Sequence, residues 1–361
     1  MTINKSYTPI NKGQFTLETP ERIEAFDKKR GFGVLEAFEE NRKQWTEFPQ
    51  IQFVAEYPLH VDIELSSICN LQCPMCYTIT EEFKKKVNAK LMDYDLFVKI
   101  VDECAMGGVY SIRLSLRGEA FLHPRIIDCV RYAKNNGIKE VSTLTNGFRL
   151  NEKIFKELID AGIDWITISF DGLKETYEKI RYPAKYERAV QKIANYSEIK
   201  KKLGLVKPVI KVQSILPAIQ NDPKEYYDVF APISDMVSAN PLIDYLQNDD
   251  IINILYESHF SCPQLYQRLV VGADGQVMMC SNDEENENVV GNACMQTIYE
   301  IWHSDKLEKA RLSHKLHRGV KDYHVCAKCY LPRKTIETKV NVGNHEVIAE
   351  NYINRSQTIG S

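Results

Sequence analysis

Long apolar runs are missing from this chain: nothing in its 361 residues approaches the roughly 18 consecutive apolar residues that a bilayer-spanning helix requires. An excess of one sign of charge is missing too. Lys and Arg number 46 against 49 Asp and Glu, for a formal net charge of -3, so electrostatics give no reason to expect nucleic acid or an anionic membrane as a partner. Residues Met1-Thr2-Ile3-Asn4-Lys5 lead into polar sequence rather than an apolar signal core, and a cytoplasmic location is expected. His60, His259, His303, His314, His317, His324 and His345 form no HExxH or similar array. His314 and His317 share a helical face in a basic segment, which reads as solvated. What is present is an ordinary globular composition, with 44% apolar and 26% charged residues. The length suits a barrel-like domain plus an appendage, because single cores stop growing near roughly 250–300 residues.

Ten cysteines would suggest disulfides in a small secreted protein, but here they fall in the short spacings of metal or cluster ligands. Cys69, Cys73 and Cys76 occur as Cys-Asn-Leu-Gln-Cys-Pro-Met-Cys, directly after the strand-like run His60-Val61-Asp62-Ile63-Glu64-Leu65. A 4Fe-4S cube has four irons, so three sulfurs leave one iron open to a non-protein ligand. Zinc prefers four protein ligands in two separated pairs. A ferredoxin brings its fourth cysteine close by, whereas here the next is Cys104, in a helical pattern. Beyond a loop-rich stretch over about 240–260 comes a second set: Cys262, a hairpin-like run over 269–279 turning at Ala273-Asp274-Gly275, Cys280, and then Cys326-Ala327-Lys328-Cys329. Four thiolates complete a fully protein-ligated cluster, and two separated pairs also suit zinc. Cys104 and Cys129 lie on helical patterns and read as core, and Cys294 reads as a buried thiol acting as a small hydrophobe.

Residues 18–47 read mainly as helix, interrupted at Gly31 and Gly33. From Tyr57 the pattern alternates between strand and helix, the mark of an α/β parallel sheet. Strands are predicted near 61–65, 111–116, 140–144, 165–170, 209–215 and 236–238, and helices near 93–106, 125–135, 152–161, 186–203 and 224–231. The division expected is a helical extension at 1–57, a core at 58–240, an iron-sulfur domain at 241–340 and a tail at 341–361.

The CxxxCxxC loop resembles the signature of radical S-adenosylmethionine (SAM) enzymes, in which SAM chelates the fourth iron. The six βα units resemble the partial (β/α)6 barrel of that family. Arg117-Gly118-Glu119-Ala120 resembles its Gly-Gly-Glu-Pro segment, which implies that Gly118 admits the methionine moiety and that Glu119 pairs with its ammonium; Arg117 and Ala120 depart from the pattern. By the same resemblance Asn146 lies in a turn near SAM, Ser169 contacts its ribose or carboxylate, Arg181 neutralises its carboxylate and Gln213 lines the same pocket. Met75 stands where the family has an aromatic residue. Cys262, Gly275, Cys280, Gly291-Asn292, the run over 298–302 and the final CxxC pair resemble the family's C-terminal SPASM/twitch extension. With only Cys326 and Cys329 remaining, the shorter twitch form with one auxiliary 4Fe-4S cluster is expected, held by Cys262, Cys280, Cys326 and Cys329.

The resemblance implies reductive cleavage of SAM to a 5′-deoxyadenosyl radical, with an electron donor of flavodoxin or ferredoxin type. The leading expectation is an oxidoreductase that takes hydrogen from a carbon of a small polar metabolite, such as a sugar or aminocyclitol, with the auxiliary cluster accepting the electron. Alternatives are a maturase that modifies a ribosomal peptide and, in another class, a non-catalytic iron-sulfur or zinc protein.

Overall fold

The computed structural model describes residues 6–242, 253–353 and 359. Positions 243–252, inside the expected loop-rich stretch, and most of 354–361, inside the expected tail, lie outside the described residues. The strands are β1 (Phe15–Thr16), β2 (His60–Ile63), β3 (Ser111–Arg113), β4 (Glu140–Thr145), β5 (Trp165–Ser169), β6 (Val209–Ile215), β7 (Met236–Asn240), β8 (Arg268–Val271), β9 (Gln276–Met278) and β10 (Val289–Asn292). Among the described residues they form one ten-stranded sheet ordered β1-β7-β6-β5-β4-β3-β2-β8-β9-β10. From β2 to β7 every neighbour is parallel, which demands crossovers. Helices Tyr94–Met106, Ile126–Asn135, Glu152–Ala161, Tyr186–Leu203 and Pro223–Phe230 supply them. Their starts are written locally: the Asn151 side chain accepts from Ile154 N, and Asp222 accepts from Glu225 N with Pro223 in the first turn.

Apolar and polar residues alternate along the core strands. Val61, Ile63, Ile112, Ile166, Ile168, Ile210 and Val212 join Phe97, Ile100, Cys104, Cys129 and Phe155 of the crossover helices in one buried cluster. Their alternates, His60, Asp62, Ser111, Arg113, Ser142, Thr167, Lys211, Gln213 and Ser238, make the opposite, inner face polar. Parallel strands buried on both faces usually read as continuous apolar runs, so this alternation marks the inner face as built for something other than core packing.

Two N-terminal helices, Pro20–Gly31 and Leu35–Ile51, close that inner face where the strands begin. Arg30 places two N–H groups 3.0 Å from the two oxygens of Glu140, the first residue of β4, and its guanidinium lies 4.4 Å from the ring of Trp165, the first residue of β5. The ring of Trp45 lies 6.2 Å from that of His60 and 5.1 Å from the Arg268 guanidinium. The C-terminal ends of the strands, where α/β folds carry their sites, stay clear of this plug.

The C-terminal region is continuous with the core, because β8 runs parallel to β2 in the register His60↔Arg268 through Ile63↔Val271. A buried ion pair within the core reaches across to the C-terminal region: Arg117 donates to Glu64 through Nε at 2.8 Å and Nη2 at 2.6 Å and to Asn286 Oδ1 at 2.7 Å, and Glu64 accepts from Ala273 N at 3.1 Å. The segment expected as a tail holds a strand. β11 (Thr335–Asn341) and β12 (Glu346–Tyr352) pair as an antiparallel hairpin.

Candidate functional site

The first cysteine loop leaves the end of β2 and passes under the segment after β3. Gly118 makes this possible: a Cβ there would collide with the carbonyl oxygens of Ser66 and Ile68, and Glu119 N donates to Ile68 O at 2.9 Å. Cys73 is buried and Cys69 and Cys76 are half-buried, in an apolar patch with Leu71, Met75 and Ile180. Burial raises all three thiols, Cys73 to about 11. Burial therefore disfavours free thiolate nucleophiles here, whereas a coordinating metal removes the proton outright.

Around the loop, side chains from the ends of successive strands converge. The buried Glu119 carboxylate accepts from Thr145 Oγ1 at 2.7 Å, Asn146 N at 2.8 Å and Phe121 N at 3.1 Å; burial nonetheless holds its pKa above the ordinary glutamate value. Asn146 in turn donates to Asn70 Oδ1 at 3.0 Å and points the same nitrogen at Cys69 Sγ, 3.9 Å away. Ser169 ends β5 opposite Gln213 on β6. Arg181 donates from Nε to Asp171 Oδ2 at 2.7 Å, and Asp171 Oδ1 accepts from Ile215 N at 3.0 Å. Burial opposes the guanidinium's charge, but Asp171 and the nearby Cys73 outweigh it and raise its pKa. Gly118, Glu119, Asn146 and Ser169 lie at the C-terminal ends of β3–β5, Gln213 lies two residues before the end of β6 and Arg181 closes the helix Lys174–Ile180 that follows β5; Glu119, Asn146 and Arg181 touch or electrostatically sense the cysteine loop. Asp171 as the clamp on Arg181, and Asn70 as the link to Asn146, are partners that sequence reasoning missed; an Asp-Gly turn and an Asn between cysteines carry no distinguishing local signal.

The second set comes from three chain segments. Cys262, Cys280, Cys326 and Cys329 are all buried and line one cavity with Phe260, Met279, Val325 and Leu331. Gly275, at φ +84°, makes the hairpin turn that returns the chain toward Cys280. Burial lifts Cys262 to about 12 and Cys280 and Cys326 well above the ordinary thiol value. Donors face the sulfurs: Asn282 Nδ2 lies 3.1 Å and Leu331 N 3.4 Å from Cys329 Sγ, and His314 Nε2 lies 3.5 Å from Cys326 Sγ. Cys262 N donates to His314 Nδ1 at 3.3 Å, which leaves the ring proton on Nε2, aimed at Cys326. Among the described residues no three His, Cys, Asp or Glu side chains converge closely enough to hold a single metal ion.

Two expectations are overturned here. His314, read as solvated, is fully buried, because the helix Asp305–Lys315 turns the face with Leu307, Ala310 and His314 inward despite its basic composition. Cys294, read as a buried thiol, is exposed in the turn after β10, where its Sγ lies 3.8 Å from Asp274 O. Cys104 and Cys129 are core residues as expected. Arg117, which departs from the family pattern, is committed to Glu64. Tyr77, directly after Cys76, lines a crevice with Asn282 and Cys329, so the chain next to the first cysteine loop borders the second cysteine set.

Comparisons agree with this layout. A family model described as the radical SAM superfamily matches residues 63–212, and one described as an iron-sulfur cluster-binding domain, SPASM, matches residues 262–330. The chain is 31% identical over 159 residues to the tungsten-containing aldehyde ferredoxin oxidoreductase cofactor-modifying protein of Pyrococcus furiosus, covering 43% of this chain and 42% of that protein. It is 36% identical over 119 residues to a probable GTP 3',8-cyclase of Methanococcus maripaludis, covering 33% and 38%. The matched regions therefore span less than half the length of these relatives. Among solved structures, BtrN in complex with AdoMet and 2-DOIA superposes with a TM-score of 0.53 at 20% identity, over 75% of this chain and 92% of that one, a likeness of fold. Together the two family matches cover the cysteine loop, the strand ends above it and the second cysteine cavity, and the chain carries a radical SAM domain over residues 63–212 followed by a SPASM iron-sulfur cluster-binding domain over residues 262–330.

Proposed function

We propose that this radical SAM enzyme is an oxidoreductase acting on a small polar metabolite seated on the inner face of the sheet. Cys69, Cys73 and Cys76 would hold a 4Fe-4S cluster with one iron left for SAM, and Gly118, Glu119, Asn146, Ser169, Arg181 and Gln213 would seat the SAM molecule. When bound, that pair supplies reductive cleavage of SAM and removal of a hydrogen atom from an unactivated carbon.

The chain's own residues do the rest. Gly118 lets the cysteine loop pack against the segment after β3, Glu119 offers a carboxylate to an ammonium, and Arg181, oriented by Asp171, offers a fork to a carboxylate. Cys262, Cys280, Cys326 and Cys329 would hold the auxiliary cluster. Four buried sulfurs lining one cavity supply the full ligand set of a 4Fe-4S cube, and metal analysis of the reconstituted protein separates it from zinc. The observation that supports the oxidoreductase reading is the crevice lined by both Tyr77, the residue after Cys76, and Cys329: an auxiliary cluster held by the second cysteine set would lie on the side of the SAM loop from which it could accept the second electron of a two-electron oxidation. The plugged, polar inner face suits a small polar molecule, whose polar groups its side chains can satisfy.

The test is anaerobic reconstitution followed by assay of the products. Roughly eight irons per chain, for two cubes, and 5′-deoxyadenosine formed together with an oxidised metabolite support the reading. One cluster's worth of iron, or deoxyadenosine with a substrate that is rearranged but not oxidised, would contradict it.

A further inference from the structure

Below the rim of strand ends, the inner face carries more positive charge than its neighbours balance. Lys211 on β6 is 8% exposed, and the charged groups that act on it are Arg30 and Arg113, both cations. Its other company is Thr167, its register partner on β5, and the Trp165 ring, 5.9 Å from Nζ. Nearer the start of the strands, Arg113 and Arg268 share one carboxylate: Asp62 lies 2.8 Å from Arg113 Nε and 3.2 Å from Arg268 Nη1. Arg113 Nε is close but not aligned to donate, and Arg268 Nε is likewise buried without an acceptor among the described residues. On the neighbouring β7, Ser238 Oγ and Asn240 Oδ1 are also buried and unpartnered among the described residues. Tyr330, next after Cys329, stands within electrostatic reach of Arg113 and Arg268.

A buried ammonium with no counter-ion among the described residues is costly; with Arg113, Arg268 and His60 all on Asp62 and Lys211 within electrostatic reach of Arg113, the inner face carries a cationic patch of the kind that attracts an oxyanion more strongly in low dielectric. Lys211 lies two residues before Gln213, roughly 7 Å down the strand at about 3.3 Å per residue. We propose that the inner-face cluster of Lys211, Arg113 and Arg268 binds a carboxylate or phosphate group of the substrate, with Lys211 as its direct counter-ion. This deepens, and rests on, the reading of the rim as the SAM site. The anion then anchors the far end of the metabolite and leaves a carbon a few bonds away facing SAM.

The experiment is calorimetric titration of the reconstituted holoenzyme at constant ionic strength with inorganic phosphate, pyrophosphate, malonate and citrate, with chloride as reference. The wild type is compared with Lys211→Gln and Lys211→Arg, and SAM binding is measured on each. At least one oxyanion should bind more tightly than chloride, its affinity should fall tenfold or more in Lys211→Gln and largely return in Lys211→Arg, and SAM affinity should stay constant. Preference for phosphate or pyrophosphate over malonate and citrate assigns a phosphate, and the reverse a carboxylate. Oxyanion binding no better than chloride, or equal in the wild type and Lys211→Gln, overturns the proposal. Loss of SAM binding in the wild type with oxyanion binding intact would instead remove the rim assignment and leave this site standing.

Discussion

The two cysteine sets lie against one sheet but are supplied in opposite ways. The first takes three sulfurs from a single eight-residue loop, two of them half-buried, with the clamped Arg181 and the amide of Asn146 beside them. The second takes four sulfurs from three chain segments, all buried, with N–H donors directed at Cys326 and Cys329. A short loop closes over only part of a cube and leaves room for a ligand; four walls from distant segments enclose one completely. The difference teaches that openness, more than sulfur count, separates a centre that binds a substrate-like cofactor from one that holds or passes electrons.

The sharpest break of that comparison is a pair of variants. Cys73→Ala should reduce 5′-deoxyadenosine, followed by chromatography, to background. Cys280→Ala should remove roughly half the iron and keep the first centre's electron paramagnetic resonance signal. Equal loss of both signals in both variants would mean the sets are not separate centres.

Next comes the joint between the regions. Arg117→Leu strands the buried Glu64 carboxylate and breaks the bond to Asn286, and should lower unfolding free energy by about 3–5 kcal/mol, read by urea titration; a change under about 1 kcal/mol would show that the pair and its contacts to the C-terminal region add little to stability.

Lys211 sharpens the contrast between stability and function. Burial, with Arg30 and Arg113 adding to it, lowers its pKa to about 8. This lies below the unfolded value, so between about 8 and the ordinary lysine value of about 10.4 the unfolded chain binds the proton more tightly, and stability from this group rises with pH through that window. Lys211→Met should therefore stabilise the protein at pH 7, by at most roughly 3 kcal/mol, and the gain should shrink toward pH 10. A gain independent of pH would point to packing instead.

The smallest effect is expected from Arg181→Lys. It keeps the charge but loses the fork on Asp171, and should weaken SAM binding by about 1.5–3 kcal/mol in equilibrium dialysis with iron content unchanged.

Much of this was legible in the residues. The six strands announced themselves through β-type runs between helical periods, and the CxxxCxxC loop and the Ala273-Asp274-Gly275 hairpin were local signals. The pairing of β8 with β2 was not, because it joins segments some two hundred residues apart whose register only tertiary packing selects. His314 was misread because a lysine- and arginine-rich helix can still bury one stripe, and Cys294 because an exposed turn cysteine looks like any other in sequence. The polar alternates His60, Asp62, Arg113 and Lys211 were in plain view along their strands. Their meaning required knowing that both faces of the sheet are covered.

The most direct test of the central claim is the electron paramagnetic resonance spectrum of the reduced, reconstituted protein with and without SAM, in the wild type and in Cys280→Ala. The account predicts that SAM changes the signal of one centre, and that this response survives in Cys280→Ala. A wild-type spectrum indifferent to SAM, or a response lost with Cys280, would contradict it.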